Sequence, residues 1–188
     1  MDYLTEYNFA WPEWFREIGH SLRPRLTHCL CIEHVGSTSI IGMAAKPIID
    51  IDSVVPDGGI ADAIISLERA GYGHQGDLGI AGRESFRPVS AATLNLPPHH
   101  LYACEASSPE LHRHIAFREY LRAHPVAALR LTEFKRRLAF QQQLSRNEYI
   151  DAKSPLVAEI TTQALAWYGT QEGENTIANQ LPQSTPNL

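Results

Sequence analysis

Two short features, twelve residues apart, constrain the fold of this chain more than anything else in it: the pair Gly36-Ser37 and the triplet Asp50-Ile51-Asp52. The run CLCIEHV, residues 29–35, is rich in strand-forming residues and ends directly at the Gly-Ser pair. PIIDIDSVVP, residues 47–56, is a second such run bracketed by prolines. The pattern predicts two strands that pair, the first ending at the Gly-Ser turn. On the second strand, side chains alternate faces, so Ile48, Asp50, Asp52 and Val54 share one side while Ile49, Ile51, Ser53 and Val55 share the other. Two carboxylates side by side repel, and one stays protonated unless a cation or a basic partner neutralises the pair. A Mg²⁺ ion, which takes one or two carboxylates together with phosphates and waters, is one such cation.

The turn carries the complementary chemistry. Glycine at Gly36 permits close backbone approach to a phosphate, and Ser37, Thr38 and Ser39 offer hydroxyl donors. No Gly-Lys-Ser or Gly-Lys-Thr follows, so this is not a Walker loop. A strand, a Gly-Ser turn and a strand bearing Asp-x-Asp, in that order, point to nucleotide chemistry.

Around this pair the sequence reads as one domain over residues 1–168, with a sheet-containing core to about residue 105 and a helical part over 106–168. Trp11-Pro12, followed by apolar residues at helical spacing, predicts a first helix to about Leu26; Gly58 and Gly71 enclose a second. GYGHQGDL and RESFRPV are candidate strands, SAATLNLPP a loop, and HHLYAC, residues 99–104, a strand. Ser107-Ser108-Pro109-Glu110 is a helix-start signal. Helices are expected over 109–124, 126–145 and 147–168, with Pro155 kinking the last or restarting it with Ser154 as cap. From Gly169 onward apolar periodicity disappears, and 169–188 is expected to be a disordered tail. The fold class is α/β of the α+β kind: a small mixed, twisted sheet with flanking helices and a C-terminal helical bundle.

A hydrophobic fraction of 44% over 188 residues can build a sizeable core, while a net charge of -5 argues against a general nucleic-acid coat. The N-terminus lacks the basic start and apolar run of a secretion signal, and no stretch approaches the roughly 20 apolar residues of a membrane span. The expected location is therefore cytoplasmic. Cys29, Cys31 and Cys104 read as core thiols.

The run IEHVGSTSIIGMAAKPIIDIDSVV resembles the signature of the GrpB family, and the likeness continues through AGYGHQGDLGIAGRESFR, HHLYAC, SPELHRHIAFREYLRAHP and EYIDAKS. One departure is Ile41, where family members usually carry proline. The resemblance implies the nucleotidyltransferase fold of the DNA polymerase beta superfamily. In that superfamily the Gly-Ser pair cradles nucleotide phosphates, two strand carboxylates bind Mg²⁺, and a third carboxylate activates the attacking hydroxyl. Gly36, Ser37, Asp50 and Asp52 match the first two roles. For the third, HHLYAC offers His100 or His99 in place of an acid, and Glu84 is the other candidate. A histidine can act as a base near neutral pH.

Basic residues for a triphosphate lie late in the chain: Arg118 and Arg122 share a helix face, Lys135 and Lys153 sit in family-like segments, and Lys46 lies nearer the motif. His112 and His114, two apart on a helix, cannot face one ion and are expected at the surface. The resulting expectation is Mg²⁺-dependent transfer of a nucleotidyl group from a nucleoside triphosphate to an unidentified acceptor; the alternative is a nucleotide-binding module without catalysis.

Overall fold

The computed structural model describes residues 4–140 and 146–172. Within these residues five strands form one mixed sheet: β1 (Cys31–Val35), β2 (Ile49–Val55), β3 (Tyr72–His74), β4 (Glu84–Pro88) and β5 (His99–Glu105). Their spatial order is β1-β2-β5-β4-β3, with β2 and β5 parallel and every other neighbouring pair antiparallel. The expected pairing of the two motif-bearing strands is present, with Val35 opposite Asp50 and Glu33 opposite Asp52.

Among the described residues six α-helices flank the sheet: α1 (Trp11–Leu22), α2 (Ile60–Arg69), α3 (Ala91–Leu94), α4 (Pro109–Ala123), α5 (Pro125–Phe140) and α6 (Arg146–Glu172). The odd-numbered residues of β2 make one face of the sheet apolar. Ile49 and Ile51 pack there with Leu101, Phe86 and, from α1 and α2, Trp11, Ile18 and Leu67, all buried. Each such side chain contributes about 1.5–3 kcal/mol on burial. The other face carries the aspartates. Near its far end Val54 and Cys104 pack against Leu111 of α4. A further cluster of Ile40, Met43, Leu121, Leu131, Leu156 and Ile160 ties the segment after β1 to α4, α5 and α6. The helical part is thus packed onto the turn that the sequence singles out.

Three local expectations are corrected. SAATLNLPP contains the one-turn α3, because Ser90 and Thr93 form a reciprocal capping box. Pro155 neither breaks nor restarts α6, and Ser154 donates its hydroxyl to the Ile150 carbonyl, 2.7 Å away, instead of capping. The same helix continues to Glu172, so Gly169 to Glu172 are helical; the rest of the expected tail, 173–188, lies outside the described residues, as do 141–145. Ser108 is the cap of α4, accepting from the backbone N–H groups of Glu110 and Leu111.

Candidate active site

The turn after β1 depends on Gly36. Its φ of 69° lies in the left-handed region, and a Cβ there would overlap Oδ2 of Asp50. Glycine is required so that turn and carboxylate can touch. Ser37 to Ser39 then form a single 3₁₀ turn, closed by the Ser39 hydroxyl donating to the Gly36 carbonyl at 2.6 Å.

A cavity of about 590 Å³ opens beside this turn. Its polar wall includes Ser37, Thr38, Asp50 and His100. Its cationic wall is Lys46, Lys135 and Lys153; Leu4, Ile48, Tyr149 and Ile150 add apolar surface. Three lysines thus face one acid, an arrangement suited to a ligand of several negative charges. Lys135, only 5% exposed, donates to Ser37 Oγ at 2.6 Å. Burial and the neighbouring Lys153 pull its amino group down to about 7, against the charge of Asp50. Burial and Lys46 likewise lower Lys153. The ammonium groups of Lys46 and Lys153 lie 5.4 and 5.6 Å from the Tyr149 ring centroid, within cation–π range.

His100 stands opposite Asp50 across the β2–β5 pairing, and its Nδ1 lies 2.9 Å from Asp50 Oδ1. A carboxylate accepts, so Nδ1 is the donor, and in the neutral tautomer that this contact selects Nε2 is the acceptor. His100 is thus held in place by the residue that the motif supplies.

Asp52 has a different environment. It is fully buried, and its Oδ2 lies 2.7 Å from Nδ1 of His114 on α4. His114 Nε2 lies 3.1 Å from Glu110 Oε1, and Arg113 donates twice to Glu110. Burial works against the charged imidazole, but the hydrogen bonds and charges of Asp52 and Glu110 outweigh it and lift His114 to about 9. For Asp52, burial pushes the carboxyl up more strongly than His114 pulls it down. Burial also works to raise Glu110, and there the bonds from Arg113 and His114 win, holding it well below the usual carboxylate range.

His114 was expected at the surface, and this is the main site residue that the sequence reading missed. The signal lies in the four-residue spacing of Glu110, His114, Arg118 and Arg122, which puts all four on one stripe of α4 laid against the sheet. Arg118 binds Glu33 Oε2 at 2.6 Å and the His34 carbonyl at 2.9 Å; Arg122 binds the Ser39 carbonyl at 2.9 Å. These two arginines, expected at the nucleotide, brace α4 against β1 and the turn and do not line the cavity. Glu84 also lies elsewhere: opposite Ala103 on the apolar face, 2.6 Å from His74 Nε2. His99 faces the same way and meets the Tyr72 hydroxyl at 2.9 Å. Ser39 is buried in the turn, whereas Thr38 reaches both the cavity and His34 Nε2, 3.0 Å away.

The donor set would suit a Mg²⁺ ion whose remaining ligands are oxygens from elsewhere. Asp50 offers carboxylate oxygen to the cavity, and Asp52 Oδ1 is buried with no hydrogen-bond partner. Hard oxygen donors of this kind suit Mg²⁺. Among the described residues no three His, Cys, Asp or Glu side chains are grouped to hold a metal by themselves, so waters or a bound anion's oxygens would complete the shell.

The family model described as GrpB protein matches residues 3–163. The chain belongs to the GrpB family. This GrpB chain is 36% identical over 166 residues to UPF0157 protein YqkA of Bacillus subtilis, covering 86% of itself but only 46% of that protein. It is 34% identical over 167 residues to UPF0157 protein BH1888 of Halalkalibacterium halodurans, covering 87% of itself and 82% of the relative. The crystal structure of conserved protein GrpB from Enterococcus faecalis superimposes with a TM-score of 0.76 at 35% identity, covering 88% of this chain and 99% of the other. Among the described residues no helix is long and apolar enough to cross a membrane.

Proposed function

We propose that this GrpB chain binds a nucleoside triphosphate with Mg²⁺ in the cavity beside Gly36 and Ser37 and transfers its nucleotidyl group to an acceptor hydroxyl. The observation that carries this reading is the Lys135–Ser37 contact at 2.6 Å, which places a buried amino group at the Gly-Ser turn in the cavity that Asp50 also lines. Ser37 and Lys135 hold phosphate oxygens, and Lys46 and Lys153 balance the remaining charge. Asp50 and Asp52 would hold a Mg²⁺ ion together with the phosphates, and such an ion would supply positive charge to offset that on the oxygens of the transferred group. His100, oriented through Nδ1 by Asp50, accepts the acceptor's proton at Nε2. The superfamily resemblance adds the reaction class; the acceptor is not specified by any of these residues.

The second reading is nucleotide binding without transfer. It is favoured by the full burial of Asp52 and its engagement by His114. Incubating the pure chain with the four ribonucleoside triphosphates, Mg²⁺ and a panel of hydroxyl acceptors separates the two. Pyrophosphate release that disappears in Asp50→Asn supports transfer. Calorimetric binding without pyrophosphate release supports the binding module, and absence of both sinks the two readings together.

A further inference from the structure

The Asp50–Asp52 pair is asymmetric in a way the motif does not reveal. Asp50 opens to the cavity, and its side chain is 32% exposed; Asp52 is sealed at 0% beneath α4. Cβ atoms two residues apart on a strand are about 7 Å from each other, close enough for two carboxylates to share one cation. Two cations held by the pair need more: both oxygens of at least one carboxylate must be available to metal. At neither are they: Asp50 Oδ1 is engaged by His100 Nδ1 at 2.9 Å, and Asp52 is engaged by His114. Oδ2 of Asp52 accepts from His114 Nδ1 at 2.7 Å, which leaves Oδ1 as its single unengaged oxygen.

Nor can His114 itself join the coordination shell. Both ring nitrogens face carboxylate oxygens, Asp52 at 2.7 Å and Glu110 at 3.1 Å. Both nitrogens are thus taken up by contacts within the chain, and neither is left to coordinate a metal. The bidentate Arg113–Glu110 pair and the Arg83 guanidinium, 3.7 Å from Glu110, fix the far end of this chain of contacts. Tyr102 separates it from His100, its ring centroid 6.2 Å from His114 and 6.5 Å from His100.

We infer that His114 is a positioning residue which, by occupying Oδ2 of Asp52 beneath α4, limits the Asp50–Asp52 pair to a single divalent cation. This inference rests on the metal-assisted reading above, and its test separates the two.

The probe is Mn²⁺ alone, titrated into the full chain and followed by the electron paramagnetic resonance signal of free Mn²⁺. Wild type is expected to saturate at one equivalent. Asp50→Asn abolishes that equivalent, and Asp52→Asn, which keeps the side-chain shape, weakens it about tenfold or more. His114→Ala frees Oδ2 and the space of the ring, and takes up a second equivalent. Two equivalents in wild type, or one in a folded His114→Ala, would overturn the inference while leaving the proposed function standing; an unchanged affinity in Asp52→Asn also overturns it. If wild type binds no Mn²⁺, the inference and the metal-assisted reading fall together. Should His114→Ala not fold by circular dichroism, the wild-type stoichiometry and Asp52→Asn still decide.

Discussion

The amino group of Lys135 lies 2.6 Å from the hydroxyl of Ser37, so a buried lysine of α5 is fastened to the turn that ends β1. The two are 98 positions apart in the chain. What brings them together is the cluster of Met43, Leu121 and Leu131, which draws the segment after β1 into the helical bundle.

That lysine has a cost in stability. Burial, with Lys153 alongside, lowers its pKa to about 7 in the folded chain, whereas in the unfolded chain it is near 10.5. Between those values the unfolded state binds more protons. Stability is therefore penalised below about pH 7 and recovers as the pH rises toward 10.5. Lys135→Met removes the penalty. It is expected to raise the Tm by about 4 °C or more at pH 6.5, with the gain shrinking by pH 10, and to weaken pyrophosphate binding at least tenfold. Thermal melts at the two pH values and calorimetry with pyrophosphate check both halves; a lower Tm at pH 6.5 goes against the argument.

Gly36→Ala tests the closeness of the turn to Asp50. The added Cβ overlaps Oδ2 of Asp50 and must adopt a φ of 69°. A loss of about 1–3 kcal/mol is expected from strain at this position alone. Because the displaced atom is the candidate ligand oxygen, Mn²⁺ affinity should fall with it. Gly42→Ala is the control: its φ of 82° is also positive, but nothing lies within 4 Å of the added Cβ. A comparable stability loss with Mn²⁺ binding retained in Gly42→Ala, and lost in Gly36→Ala, isolates the carboxylate effect from backbone strain.

His100 should act in turnover and not in nucleotide binding. It touches Asp50 through Nδ1 and lines the cavity, but the ammonium groups there are supplied by the lysines. His100→Asn is expected to lower kcat by about 10²–10⁴ with little change in nucleotide affinity. Product formation under saturating substrate, set beside calorimetric Kd, tests this. An equal loss in both would make His100 a binding residue.

The elements that hold the site were legible in the sequence where a single local rule governed them. The Gly-Ser turn, the alternation that puts Asp50 and Asp52 on one face, and the Ser108–Pro109 helix start follow from φ, pleat and capping, and all are present. Placement of the helices over the sheet was not legible, because it depends on which face of α4 is down. Read as ligand candidates, Arg118 and Arg122 resemble phosphate clamps. Once α4 lies on the sheet, Glu33 and the carbonyls of His34 and Ser39 engage them. Glu84 shows the same limit across strands: it was near the site in sequence order, but its register opposite Ala103 turns it to the apolar face. Lys135 was named for its position in a family-like segment; its burial against Ser37 is a tertiary result that no window of sequence contains.

His114 and Asp52 give a pH dependence of opposite sign to that of Lys135. The imidazole is lifted to about 9 from an ordinary value of 6.5, so its contribution is fully present below about pH 6.5 and is lost as the pH rises through about 9. Replacing it leaves Asp52 buried without its partner, a change that costs about 3–5 kcal/mol in comparable buried pairs. His114→Gln is therefore expected to be several kcal/mol less stable than wild type at pH 6.5. The gap should narrow steadily between pH 7 and 9.5, where wild type loses the same interaction. Asp52→Asn in the His114→Gln background should recover part of the loss at neutral pH, because it removes the stranded carboxylate. Urea unfolding of the wild type and both variants across this range supplies the measurement. A gap that stays constant with pH would mean that His114 stabilises α4 by packing alone, and its bond to Asp52 would then carry no net charge effect.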